Sequence, residues 1–371
     1  MNEDKATRYN RLKRRTSVIS VAWSVLLFTA MAASPASVAL RRAAQSAAGS
    51  RPDSPLTLLI YVVALIIVNE IGSLPIGFYG GFLVERHYGL SNERLGAWAL
   101  DELKGLAIGT LLASAAASLL YLFIRLSPGS WWLPAGVAFA LVIVGMANLA
   151  PVVLLPLFYT VKPLDRESLR ARLMALGERA GARVVGAYEW GLAEKTKKAN
   201  AALTGLGGTR RILVSDTMLA EYSDDEIEVV LAHEMAHHVH GDIWKGIVFE
   251  SALILAGFYA ASLALSRAVV PMALSGPADA AGLPVLLLAA GAMSMVTLPA
   301  AHALSRAYER SADRFAIELT RNPAAFVSAM KRLAAQNLAE ETPSKMTEWL
   351  FYSHPPIRER IQAAEKLKGR S

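Results

Sequence analysis

No cysteine occurs in the 371 residues, which excludes disulfides, thiolate nucleophiles and cysteine-ligated metal, and leaves the redox compartment open. Charge is also scarce. Asp, Glu, Lys and Arg make up 19% of the chain while 54% is hydrophobic, a balance foreign to a soluble two-domain protein of this length and suited to an integral membrane protein. The few charges sum to +7. In a soluble chain that excess would suggest nucleic acid; here it reads as positive-inside loops that meet anionic headgroups, so membrane lipids are the expected partners and nucleic acid is not.

Long apolar runs are what the chain has in abundance. Residues 1–15 carry six Lys or Arg against two acids, and 25 uncharged residues follow from Thr16 to Leu40. This predicts a first span; a signal peptide is the competing reading, although the run is long for one. A second run, Ser54 to Leu83, holds Asn69-Glu70 near its middle. A carboxylate at that depth must face protein or water, so it marks either an internal aqueous space or a polar contact between helices. Residues 105–124 form a third span. The 36 uncharged residues from Leu126 to Val161 accommodate a turn at Ser127-Pro128-Gly129-Ser130 and a fourth, completing a membrane region over 1–161.

Residues 162–242 turn soluble, with eleven Lys or Arg and thirteen Asp or Glu. A charged helix is predicted from about Asp165 to Ala180, and a hairpin from Asn200–Thr204 and Arg211–Val214. Two more spans, Ile243 to Leu265 and Ala280 to Leu304, fill 243–304. A helical tail occupies 305–371, with helix starts at Pro323 and after Pro355-Pro356. The predicted class is therefore an all-α, multi-pass membrane protein with a small α+β soluble region. An even number of spans puts both soluble segments on the side of the basic N-terminus, the cytoplasm, although Arg41, Arg42 and Arg51 in the first outer loop weigh against this.

The soluble segment contains His233-Glu234-Met235-Ala236-His237-His238. Ser223 and Glu226 form a capping box before it, Ile227, Val230 and Leu231 supply an apolar face, and Gly241 is placed to stop the helix. On such a helix His233 and His237 stack on one face at a spacing suited to a single zinc ion. Glu234 lies about 100° around from His233, placed to take a proton from water as general base. Surface histidines on an amphipathic helix are the alternative. A third ligand must come from elsewhere, and Glu309 beyond the sixth span is the candidate, with Asp313 four residues on to support a ligand imidazole. A solvated helix with one more acid pair is the competing reading there. His238 and His240 point to different faces from His233, and His87 and His302 lack partners, so all four read as structural.

The six residues from His233, Glu309-x-x-Ala312-Asp313, and Tyr352-Ser353-His354-Pro355-Pro356-x-x-x-Arg360, in that order, resemble the type I CAAX prenyl proteases, integral-membrane zinc metallopeptidases. The likeness extends to Leu74-Pro75, Tyr79, Phe82 to Glu85, His87 to Leu90, Asp101, Lys104, Pro156-Leu157-Phe158, Lys162-Pro163-Leu164, Lys198 to Ala201 and Arg211 to Thr217, so it covers roughly residues 70–365. The resemblance implies a multi-span helical barrel enclosing a water-filled chamber, in which Glu70 would suit the interior. It implies one zinc ion held by His233, His237 and Glu309, with Glu234 as base. It further implies His354 and Arg360 near the site, the former as a donor to the developing oxyanion, and Asn200 and Ala201 on a strand edge that takes an extended peptide. The substrate it implies is a prenylated C-terminal Cys-a-a-X peptide or another membrane-associated peptide, cut in a bacterial inner membrane or the endoplasmic reticulum, the former favoured.

Three departures from the family pattern bear on substrate choice. Six spans are counted against seven in eukaryotic members, His238 replaces an aromatic residue, and Lys197-Lys198-Ala199 replaces a serine-histidine run. A quality-control protease without lipid preference and a non-catalytic, zinc-stabilised scaffold are the alternatives. Glu234 speaks against the scaffold, since a structural site closes all four positions and needs no base.

Overall fold

Each apolar run folds as a helix, because a segment in lipid has to satisfy its own backbone N–H and C=O groups. The structure, a computed structural model, describes residues 4–51, 53–205 and 207–368. α1 (Lys5–Ala33) begins at an Asp4 cap and ends at Ser34-Pro35, where the chain turns into α2 (Ala36–Ala48). The predicted span from Thr16 to Leu40 is thus broken, since Pro35 has no N–H with which to continue the ladder. α3 (Pro55–Gly77) runs through a π-helical turn at Phe78–Leu83 into α4 (Val84–His87). Close approach of α1 requires glycine there: a Cβ on Gly72 would lie 2.1 Å from the Trp23 ring, and one on Gly80 2.8 Å from Thr16.

α5 (Leu95–Leu126), α6 (Trp132–Val153) and α7 (Leu155–Phe158) complete the N-terminal part. The soluble segment then gives β1 (Val161–Pro163), α8 (Glu167–Arg179), β2 (Gly186–Trp190), β3 (Ala201–Thr204), β4 (Arg211–Ser215), α9 (Asp216–Glu221) and α10 (Asp224–Val239). α11 (Asp242–Ala268) and α12 (Leu283–Thr320) are membrane helices, followed by α13 (Pro323–Asn337), α14 (Lys345–Phe351) and α15 (Ile357–Lys368). Among the described residues, five helical stretches are long and apolar enough to cross a membrane: Lys5–Ala33, Pro55–His87, Leu95–Leu126, Asp242–Ala268 and Ala280–Thr320. The fourth predicted span is α6, apolar over Trp132–Met146.

The predicted hairpin forms, with β3 and β4 antiparallel and Leu203 opposite Ile212. β1 and β2 extend it to a four-stranded sheet of order β1-β2-β4-β3, in which β2 and β4 are parallel. β3 is therefore an outer strand. One face of the sheet packs on α8 and α10 in a core that includes Leu173, Ile212, Val214, Ile227, Leu231 and Phe326. A second core, around Tyr61, Tyr121, Ile124 and Leu265, ties the spans together. α12 enters both cores, with Leu286 in the membrane one and Ala316 and Ile317 in the soluble one. No break falls at 304/305, where the sequence suggested that span and tail divide.

α1, α3, α5, α6, α11 and α12 surround a cavity of about 570 Å³. Its wall is mostly apolar, with Asn69, Glu250, Ser294 and Thr297 as polar exceptions; of the Asn69-Glu70 pair it is Asn69 that lines it. The basic start of α1 lies on the side of the soluble core: Arg14 pairs with Glu340 at 2.5 Å and Lys198 Nζ donates to Tyr9 Oη at 2.9 Å. At the other end Arg41 is buried 3.3 Å from Asp279, so this arginine is neutralised and does not count as a free loop charge.

The capping box of α10 forms as predicted, with Ser223 Oγ accepting the Glu226 N–H and the Glu226 carboxylate accepting the Ser223 N–H. Because Glu226 also holds Ser328 and Arg332 of α13, the cap fixes the start of the helix to its neighbour. Ser223→Ala is expected to cost about 1 kcal/mol, measured as a lower unfolding midpoint of the detergent-solubilised protein. A midpoint unchanged from wild type would show that Glu226 alone sets this end.

Candidate metal centre

α10 presents His233 and His237 one turn apart, with ring centroids 5.1 Å apart and planes at 88°. α12 crosses beside them and lowers Glu309 between the two rings. Glu309 Oε2 lies 3.1 Å from His233 Nε2, and Oε1 lies 3.4 Å from His237 Nε2. A tetrahedral ion with bonds of about 2.0–2.1 Å spaces its ligand atoms about 3.3 Å apart, which matches both contacts. Glu309 Oε2 is also buried without a hydrogen bond of acceptable geometry, and a buried carboxylate oxygen in that state is satisfied by a cation. The three residues fit a single divalent metal.

The outer nitrogens of both rings are held by carboxylates. His233 Nδ1 is 2.9 Å from Asp313 Oδ1, and Asp313 is in turn gripped by Arg360 through Nη2 at 2.5 Å and Nε at 2.8 Å. His237 Nδ1 is 3.2 Å from Asp242 Oδ2, which is braced by Lys245 at 3.0 Å. Carboxylate acceptors on Nδ1 place the proton there and leave both Nε2 lone pairs for the ion. Asp242 was not singled out in the sequence. Its signal was the helix stop itself: Gly241, at φ 68°, folds the chain back so that the next residue lies under His237.

Glu234 is half-buried beside this group and, among the described residues, makes no hydrogen bond or ion pair. Burial pushes its carboxyl above the ordinary value, opposed by His233 and His237. His354 lies in the turn before α15, its imidazole 59% exposed and its Nδ1 2.8 Å from Glu309 Oε2. The turn is fastened two residues earlier, where the Tyr352 carbonyl accepts from Arg306 at 2.7 Å and its hydroxyl donates to Glu340 at 2.7 Å. Thus seven predicted residues, His233, Glu234, His237, Glu309, Asp313, His354 and Arg360, come together from three parts of the chain.

Asn200 and Ala201 lie on the outer strand side of the sheet, where β3 packs on α10, with Ala201 buried. The Asn200 side chain is exposed, while its main chain is tied to Ser215 of β4. The remaining histidines do not join the ligand group. His238 Nε2 reaches the Leu203 carbonyl, His240 packs on Phe315 and His87 on Tyr88, and His302 lies on the spanning part of α12.

Without an ion, burial disfavours a proton on His233, but Asp313 and Glu309 outweigh it and its pKa is pushed up to about 9. The protonated form prevails below that value and blocks the Nε2 lone pair. Apparent metal affinity should therefore fall by about tenfold per pH unit as the pH drops below about 9, with protons released on binding. Competition against a chromophoric chelator across that range measures it; an affinity independent of pH would contradict the protonated state.

Two family models match the chain. One described as peptidase family M48 covers residues 163–368, and one described as the CAAX prenyl protease N-terminal region, five membrane helices, covers residues 2–160. An uncharacterized metalloprotease of Bacillus subtilis, YhfN, is 30% identical over 97% of this chain and 85% of its own. A CAAX prenyl protease 1 homolog of rice is 25% identical over 84% and 73%. The crystal structure of S. mikatae Ste24p superposes with a TM-score of 0.85 at 21% identity, over 97% of this chain and 88% of that one. The predicted barrel of membrane helices with a small soluble sheet region is thereby matched in fold.

Proposed function

The chain belongs to peptidase family M48 and is a membrane metalloprotease, and we propose that it is a zinc endopeptidase cutting near the C-terminus of prenylated or other membrane-associated peptides. The convergence of His233, His237 and Glu309 beside a Glu234 that is unpaired among the described residues carries this reading. Zinc, when bound, supplies a Lewis acid that makes water nucleophilic near neutral pH and polarises the scissile carbonyl. Glu234 takes a proton from the attacking water and delivers it to the leaving amine. His354, exposed on the open side of Glu309, donates toward the carbonyl oxygen as negative charge develops there. Asp313, Arg360 and Asp242 hold the two imidazoles in place through Nδ1.

The outer strand β3 pairs with the main chain of the substrate at Ala201, with the Asn200 amide beside it. The mostly apolar cavity between the spans has room for an acyl or prenyl chain, which supports a lipid-bearing substrate. The similarity to YhfN of Bacillus subtilis favours a bacterial inner membrane. The basic N-terminus lies on the side of the soluble core, which supports a cytoplasm-facing site by the positive-inside tendency. A non-catalytic scaffold would close its ion with a fourth protein ligand, whereas the ligand group among the described residues has three members.

Cleavage of a farnesylated Cys-a-a-X peptide beside its unprenylated twin, by wild type and Glu234→Ala with and without chelator, tests the proposal. Chelator-sensitive cutting of the farnesylated peptide by wild type alone is the expected result. Equal cutting of both peptides would replace lipid specificity with general quality control, and cutting of neither by the zinc-loaded protein would remove the prenyl-protease assignment.

A further inference from the structure

Main-chain groups along a strand point alternately to its two sides. The Ser215 N–H donates to the Asn200 carbonyl at 2.9 Å, so Asn200, Ala202 and Thr204 face β4, while Ala199, Ala201 and Leu203 face away from the sheet. These three residues form the edge to which a peptide would add. Two of them are already engaged.

Asn337, the last residue of α13, donates Nδ2–H to the Ala199 carbonyl at 3.1 Å and accepts the Ala199 N–H on Oδ1 at 3.0 Å. Its side-chain amide thus makes the pair of bonds that a neighbouring strand would make. Gln336 donates to the Lys197 carbonyl at 2.8 Å, and Asn10 of α1 donates to the Leu338 carbonyl at 2.7 Å, so the end of α13 is anchored on both sides of Asn337. At the other limit, His238 Nε2 lies 3.0 Å from the Leu203 carbonyl. A carbonyl only accepts, so the proton is on Nε2, and the buried Nδ1 has no partner. Among the described residues, the edge groups left free are the N–H and C=O of Ala201 and the N–H of Leu203.

We infer that Asn337 and His238 delimit the substrate-pairing edge to a window centred on Ala201, and that Asn337 thereby selects peptides cut close to a chain terminus. The inference rests on the proposed reading of β3 as the substrate strand. A peptide paired at Ala201 and continuing in register toward Ala199 meets both groups of Ala199 already occupied. It has to end, turn away, or displace an amide that satisfies a buried backbone pair, and the last leaves polar groups unpaired. His238 fixes the opposite limit by tying Leu203 to the helix that carries the metal ligands, at the residue next to His237.

The test is a set of peptides with one cut-site sequence, extended residue by residue on either side of the scissile bond, assayed with wild type, Asn337→Ala and Asn337→Ser. In the wild type, kcat/KM should fall about tenfold once the extension on one side passes Ala199, with extension on the other side tolerated. Both variants should lose that dependence while keeping the wild-type metal content, and the Ala199 amide should exchange with deuterium about tenfold faster in them. Wild type that cuts every length equally overturns the inference and leaves the protease reading standing. Variants that keep the wild-type length dependence overturn the role of Asn337. Failure of the zinc-loaded wild type to cut any member of the series fells the protease reading, and the inference with it.

Discussion

Glu234→Gln, purified in detergent, is expected to keep its metal and to cleave peptide about a hundredfold to ten-thousandfold more slowly than wild type. The amide has the shape of the carboxylate and cannot take a proton from water. The ligand atoms of His233, His237 and Glu309 are untouched by the change. Since Glu234 makes no ion pair among the described residues and burial already penalises its charge, the neutral amide costs little stability. Glu234 acts as a base only when ionised; burial raises its carboxyl pKa, and the charge of a bound divalent ion opposes that rise. Metal content and kcat/KM, measured on one preparation, decide the matter. Activity of the variant within tenfold of wild type would take the role of base away from Glu234.

Local signals made the metal helix legible. Ser223, Glu226 and Gly241 state where α10 begins and ends, and the four-residue spacing of the histidines needs nothing beyond helix geometry. From spacing, without the family resemblance, Glu309 could be proposed only as a carboxylate in the right region, because its distance from His233 is set by how α12 crosses α10. At 304/305 apolarity stops, but Ser305 to Arg310 holds no glycine or proline, so the helix continues and carries Glu309 on the same rod as the apolar stretch. β1 and β2 escaped notice because strands of 3 and 5 residues gain their stability from partners far along the chain, β2 lying parallel to β4. Asn337 had no local signature, since an amide at the end of a helix does not announce that its partner is a backbone 138 residues earlier.

Asp313→Leu should lower metal affinity by about 10- to 100-fold and also destabilise the fold by about 3–5 kcal/mol. Two separate causes are at work. Loss of the carboxylate removes the acceptor on His233 Nδ1, so the ring is no longer held in the tautomer and orientation that aim Nε2 at the ion. It also strands the Arg360 guanidinium, only 10% exposed and otherwise gripped by Asp313 through two bonds, as an uncompensated charge. The double variant Asp313→Leu/Arg360→Leu separates these effects. Replacing both members of a buried pair by apolar side chains of similar volume is often neutral, so its unfolding midpoint should return toward wild type, whereas its metal affinity should stay low because the acceptor on Nδ1 is still missing. Recovery of both properties would make the pair a packing device. Recovery of stability alone would show that its charge is retained to aim His233.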